Sequence, residues 1–132
     1  VKLPPPFQDA TSIKPNAQGS LDLIDAKGKT LAQVALHTAL DLGLYQGRVT
    51  CKDGFSVSVR ASATHYCRPR KDHGPWTHYE LGFPNQPDDL IQTYAENSDD
   101  PTDTVYAYVP HEILRQLIQT HGGIASIDGV YR

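Results

Sequence analysis

Apolar and polar positions alternate most clearly in RVTCKDGFSVSVRAS, residues 48–62. Val49 and Cys51 precede Asp53-Gly54; Phe55, Val57 and Val59 follow it, with Ser56, Ser58 and Arg60 between and after them. A period of two puts every second side chain on one face, so the stretch predicts a hairpin with its apolar residues toward a core. Asp53-Gly54 suits a two-residue primed turn, whose central positions both need positive φ. THYELGF, residues 77–83, predicts a further strand stopped by Pro84, and TVYAYVP, residues 104–110, another. In the latter, Val105, Ala107 and Val109 are expected inside, opposite Thr104, Tyr106 and Tyr108.

Helical spacing appears in three places. PHEILRQLIQTHGG, residues 110–123, places Ile113, Leu114, Leu117 and Ile118 in one stripe between Pro110 and Gly122. PDDLIQTYAE, residues 87–96, opens with Pro87 and two acids, which a helix N-terminus favours, and repeats Leu90, Ile91, Tyr94 and Ala95. TLAQVALHTALDLG, residues 30–43, has Thr30 and Gln33 at capping-box spacing and Gly43 at the far end. It predicts a helix from Leu31 to Leu42, with a strand over Thr30 to Leu36 as the competing assignment. Leu21 and Leu23 make a short strand before a turn at Lys27-Gly28. Ile124, Ile127 and Val130 indicate a last strand or a hairpin through Asp128-Gly129. Residues 1–20 carry Pro4 to Pro6, Pro15 and Gly19 and show neither period, so they read as an extended Pro-rich arm. The expected architecture is α+β: a small, mainly antiparallel sheet with amphipathic helices packed on it, one domain over residues 21–132.

Composition narrows the class. A chain of 132 residues, 39 % hydrophobic and 20 % charged, fits one globular domain with a real core. Its ten prolines and ten glycines are spread along the chain, which indicates loops rather than disorder. No apolar run reaches the roughly 18 residues of a membrane span, and no signal-peptide pattern opens the chain. The net charge of −3 disfavours a general polyanion binder while leaving room for a local basic patch. The chain has no methionine, which leads us to expect processing before Val1. Cys51 and Cys67 could pair in an oxidising compartment; we expect free thiols inside a cell.

Candidate chemistry gathers in THYCRPRKDHGPWTHY, residues 64–79. The binding candidates are His65, Tyr66, Arg68, Arg70, Lys71, His73, Trp76, His78 and Tyr79. Arginines beside aromatic rings suit an acidic protein segment, and the same rings could stack on bases. The exposed tyrosines Tyr106 and Tyr108 would extend the surface if their sheet face stays open. A metal set is the alternative: Cys51, His65, Cys67, His73 and His78 offer nitrogen and sulfur ligands of the kind zinc takes. The spacing lacks the paired-cysteine motif of a zinc finger, so Cys67 reads better as a small buried side chain with the histidines toward water. No nucleophile elbow, zinc-protease motif, deaminase signature or phosphate-cradling loop occurs. Elsewhere, Glu112 is expected at a helix start and His121 in a final turn, where a cation is favoured. His37 reads as a core histidine. Residues 96–103, ENSDDPTD, read as a solvated turn rather than a calcium loop.

CKDGFSVSVRAS, HYCRPR, GPW, YELGFP, YAE, PTDTVYAYVP and HGGI together resemble a family of small uncharacterised proteins of tailed bacteriophages and prophages. The likeness covers residues 49–124. It implies a setting, the cytoplasm of a bacterial host, and carries no activity and no functional residue. The expected function is therefore that of an accessory protein without enzymatic activity or cofactor. It would bind a macromolecular partner through residues 65–79: a protein or a second copy of itself before nucleic acid, and no membrane. The alternative is a metal- or histidine-dependent enzyme acting on a phosphorylated or nucleic-acid substrate.

Overall fold

The computed structural model describes residues 7–131. It is a small α+β fold of two antiparallel sheets and two helices. A 3-10 turn at Phe7–Asp9 leads into β1 (Ala10–Pro15), which pairs with β2 (Leu21–Asp25) and, beyond it, β3 (Thr30–Val34). The packed chain thus begins by Ala10, itself buried, and not near Leu21. Pro15 closes β1, and the Asn16 side chain organises the turn after it, its Oδ1 accepting the Gln18 and Ser20 amides. Pro4 to Pro6 lie outside the described residues.

The second sheet has the order β7-β6-β5-β4-β8. It consists of β4 (Tyr45–Cys51), β5 (Ser56–Arg60), β6 (His78–Gly82), β7 (Val105–Pro110) and β8 (Ile124–Tyr131). Four strands form a meander. Then α2 (His111–Thr120) carries the chain from the β7 edge to the opposite edge, where β8 pairs with β4. In β4 the residues alternate strictly, with Tyr45, Gly47, Val49 and Cys51 buried. Cross-strand rows such as Ile127–Val49–Val57 and Gly47–Val59–Leu81–Tyr106 build the apolar face. Leu114, Leu117 and Ile118 of α2 join the same core, each such side chain worth roughly 1.5–3 kcal/mol when removed from water. The opposite face carries Gln46, Arg48, Ser58 and Glu80, as period-two patterning requires.

Several expectations are corrected. The 30–43 region divides: β3 takes Thr30–Val34 and α1 only Leu36–Asp41, with Ala35 as an N-cap that offers no side-chain bond. β-branched Thr30 and Val34 and the pairing with β2 outweigh the capping-box spacing. Residues 87–96 form no helix, only a 3-10 turn at Gln92–Tyr94. Asp88 there accepts the Leu90 amide on its own side chain, an Asx turn that competes with helical bonding. The β4–β5 loop has three residues, Lys52 to Gly54: Cys51 N–H donates to Phe55 O, and Gly54 N–H to Cys51 O. Only Gly54 takes positive φ, +95°, giving a three-residue turn with a bulge instead of the primed pair. β8 runs on through Asp128-Gly129 without a hairpin, Gly129 facing Gly47.

In β7 the inside–outside assignment fails midway. Tyr106 and Val109 are both buried, because the strand carries an extra residue: Tyr79 faces Val109 while Leu81 faces Tyr106. Tyr108 sits at φ 54° within this bulge.

Candidate binding surface

Residues 61–77 form the loop between β5 and β6, and the loop is held at several points. Arg68 N–H donates to His78 O (3.1 Å) and Thr77 N–H to Arg68 O (2.8 Å), a short ladder that doubles the loop back on itself. Tyr66 N–H reaches Glu80 Oε1 (3.1 Å), and Ala63 N–H reaches Asp72 Oδ1 (2.9 Å). Asp41, at the end of α1, fastens the other side: its Oδ1 accepts the Trp76 amide (3.0 Å) and the Tyr79 hydroxyl (2.9 Å). Gly74 lies so close to this helix end that a Cβ there would meet Asp41 O at 2.5 Å. The Arg68-Pro69 and Gly74-Pro75 bonds are both cis.

This anchoring divides the nine sequence candidates. Trp76 and Tyr79 are buried, at 4 % and 0 % exposure, and belong to the core. Trp76 Nε1–H is satisfied by Lys71 O, and burial together with Asp41 pushes the Tyr79 phenol far above its usual pKa. Neither can meet a partner. The three histidines are spread along the loop and the start of β6, each with its own neighbour. His65 Nδ1 lies 2.6 Å from Ser62 Oγ, His73 Nδ1 3.4 Å from Gly74 O, and His78 Nδ1 2.7 Å from Thr77 Oγ1. Partial burial, then Arg68 and His111 nearby, lower the His78 pKa. Tyr66, Arg68, Arg70, Lys71 and His73 are exposed.

Three of these exposed residues form a row with half-buried Tyr108. The Arg68 guanidinium lies 4.8 Å from the centroid of the Tyr108 ring, and Arg70 lies 5.6 Å from that of Tyr66. The two rings stand 6.0 Å apart at 49°. Charge and ring thus alternate: Arg70, Tyr66, Tyr108, Arg68. The β7 bulge delivers Tyr108 to this row, and Tyr108 N–H donates to Tyr66 O (3.0 Å), which ties the strand to the loop. Tyr106, the other tyrosine expected on the surface, is buried with its hydroxyl donated to Pro101 O.

Metal chemistry finds no support in the geometry. Among the described residues, no group of three or more His, Cys, Asp or Glu could hold a metal, so Cys51, His65, Cys67, His73 and His78 do not form the set envisaged. Both cysteines are free and buried; burial, then Asp53, pushes the Cys51 thiol up to about 11, and burial raises Cys67 as well. As a small buried residue, Cys67 is as expected, its Sγ–H on Ser62 O. The 96–103 segment is an exposed turn, apart from half-buried Pro101.

A polar cluster that sequence reasoning missed lies at the other end of the sheet. His121 Nδ1 is 2.6 Å from Asp53 Oδ2 and its Nε2 is 2.6 Å from Asp88 Oδ2, while the ring stacks on Phe55 at 4.0 Å. Burial by itself lowers the His121 pKa, but the hydrogen bonds to the two carboxylates outweigh it and raise it. In its protonated form the imidazole can donate to a carboxylate from each ring nitrogen, which is the form the raised pKa favours. The cluster is a tie between the β4–β5 turn, the 88 loop and the end of α2. No sequence signal could have found it, because Asp53 and Asp88 each had a local turn or helix role to account for them.

No known protein family, curated protein or solved structure matches the chain.

Proposed function

We propose that this is a small non-enzymatic accessory protein of tailed-phage type that binds a macromolecular partner, a protein segment rich in acidic side chains, through Arg70, Tyr66, Tyr108 and Arg68. The alternating row of guanidinium groups and phenol rings carries this reading. Each guanidinium lies over a ring and carries N–H donors suited to a carboxylate, and the rings add apolar contact with little side-chain freedom to lose. The anchored loop supports it further, since a surface already held in shape loses less entropy on binding. A protein partner fits better than duplex nucleic acid because the chain is acidic overall, at −3. The bacterial cytoplasm is the setting proposed with it; no described helix is long and apolar enough to cross a membrane.

Fluorescence anisotropy with a labelled Glu/Tyr-rich peptide and a labelled oligodeoxythymidine tests this. The peptide should bind at low salt, and Arg68→Glu with Arg70→Glu should weaken it about tenfold or more. Lys27→Glu, the same charge change in the exposed β2–β3 turn, should leave it unchanged. Preference for the oligonucleotide would reassign the partner, and no binding of either would end the reading.

A further inference from the structure

A cleft of about 530 Å³ opens between the β1–β2 turn, the start of α1, one side of α2 and the entry to β8. That volume lies within the range of small-molecule sites. Its floor is apolar: Leu36, Leu114, Ile118 and Ile124 line it, and all are buried in the core cluster. Its polar groups include His37, His111 and Arg115, and no aspartate or glutamate lines it. His37 is exposed rather than a core histidine, and its ring stands 5.4 Å from that of His111 at 49°. Arg115 is steadied by Glu112, outside the lining, through Nε and one terminal nitrogen, and by Gln119, within the lining, through the other. Each terminal nitrogen keeps a further N–H to offer.

We propose that this cleft binds a small organic acid, a monocarboxylate on a branched or ring-containing apolar body. The floor supplies contact for the body, and the imidazoles and guanidinium supply donors for the head. A sugar would leave hydroxyl groups unpaired against Leu114 and Ile118. A phosphate would bring a double charge to an arginine already shared with Glu112. One carboxylate matches what the lining can satisfy.

The test is a titration of ¹⁵N-labelled protein followed by NMR, with 4-phenylbutyrate and 4-phenylbutanol as probes. Saturable shifts are expected at the amides of Gly19, His37, Ile118 and Gly123 with the acid, and about tenfold weaker binding of the alcohol, the size of a charge-assisted hydrogen bond. Ala35→Trp, at an exposed position beside the opening, should block the acid; His111→Ala should weaken it while leaving the spectrum folded. An absence of saturable shifts overturns the proposal. So does equal affinity for acid and alcohol, or unchanged binding in both folded variants.

Discussion

Single residues hold the loop and the tie in place, and their chemistry predicts how each should fail. The tie at His121 should depend on pH in both directions. The folded His121 pKa lies above 6.5, so its stabilisation is complete below 6.5 and is lost as pH rises through the folded value. The folded Asp53 pKa lies below 3.8, lowered first by the Phe55 amide and then by His121. Its stabilisation is complete above 3.8 and is lost as pH falls through the folded value. Urea unfolding of the wild type and His121→Gln should therefore differ most between 3.8 and 6.5, with the gap narrowing at alkaline pH. A gap that stayed constant to alkaline pH would mean that packing on Phe55, and not charge, holds the ring. Two glycines give a second contrast. Gly74→Ala drives a Cβ against backbone of α1 and should lose about 1–3 kcal/mol. Gly82→Ala, whose nearest neighbour would be Val105 Cγ1 at 3.8 Å, should stay within about 0.5 kcal/mol of the wild type by the same urea assay.

Among the elements, the edge strand β7 does the most to create a surface while still supplying side chains to the core. Its bulge turns Tyr106 and Val109 inward together and leaves Tyr108, at φ 54°, beside the loop. Asparagine tolerates this left-handed conformation and valine does not. Tyr108→Asn should keep the fold and lose peptide affinity, while Tyr108→Val should also lose about 1–2 kcal/mol in chemical unfolding. Equal stability of the two variants would count against a strained Tyr108. The bulge also shows where pattern reading stops. Alternation locates β4 to β7, and the 3.6-residue stripe locates α2, because each is set by neighbours within one element. The bulge needs a second strand to define it. The lost helix at 87–96 and the short α1 are of the same kind: Asp88 has His121 to reach, and Thr30–Val34 has β2 to pair with. The candidate surface was half legible for this reason. Residue types marked the segment, but contacts distant in sequence, such as Asp41 on the Trp76 amide and the Tyr79 hydroxyl and Glu80 on the Tyr66 amide, are what accompany the inward turn of Trp76 and Tyr79 while Tyr66, Arg68 and Arg70 stay out.

At the scale of the whole molecule, the five-stranded sheet has its apolar rows centred on β4 and β5, with β8 closing one side. Truncation after Gly123 should expose the β4 edge, a row of unpaired amides and carbonyls beside Val49 and Cys51. The shortened chain should associate or precipitate where the full chain does not, as light scattering would report. A monomeric, folded fragment would show that β8 is dispensable and that α2 alone caps the core.

The placement of β8 has a further consequence for how the chain is made. Its partner β4 leaves the ribosome long before it, and the meander of β5, β6 and β7 emerges in between. Until residues 124–131 appear, a nascent chain holds the inner strand of its sheet open on one side. Closure of the β4 edge therefore waits until β8 has been made, and any holding factor in the cell has its window in that interval.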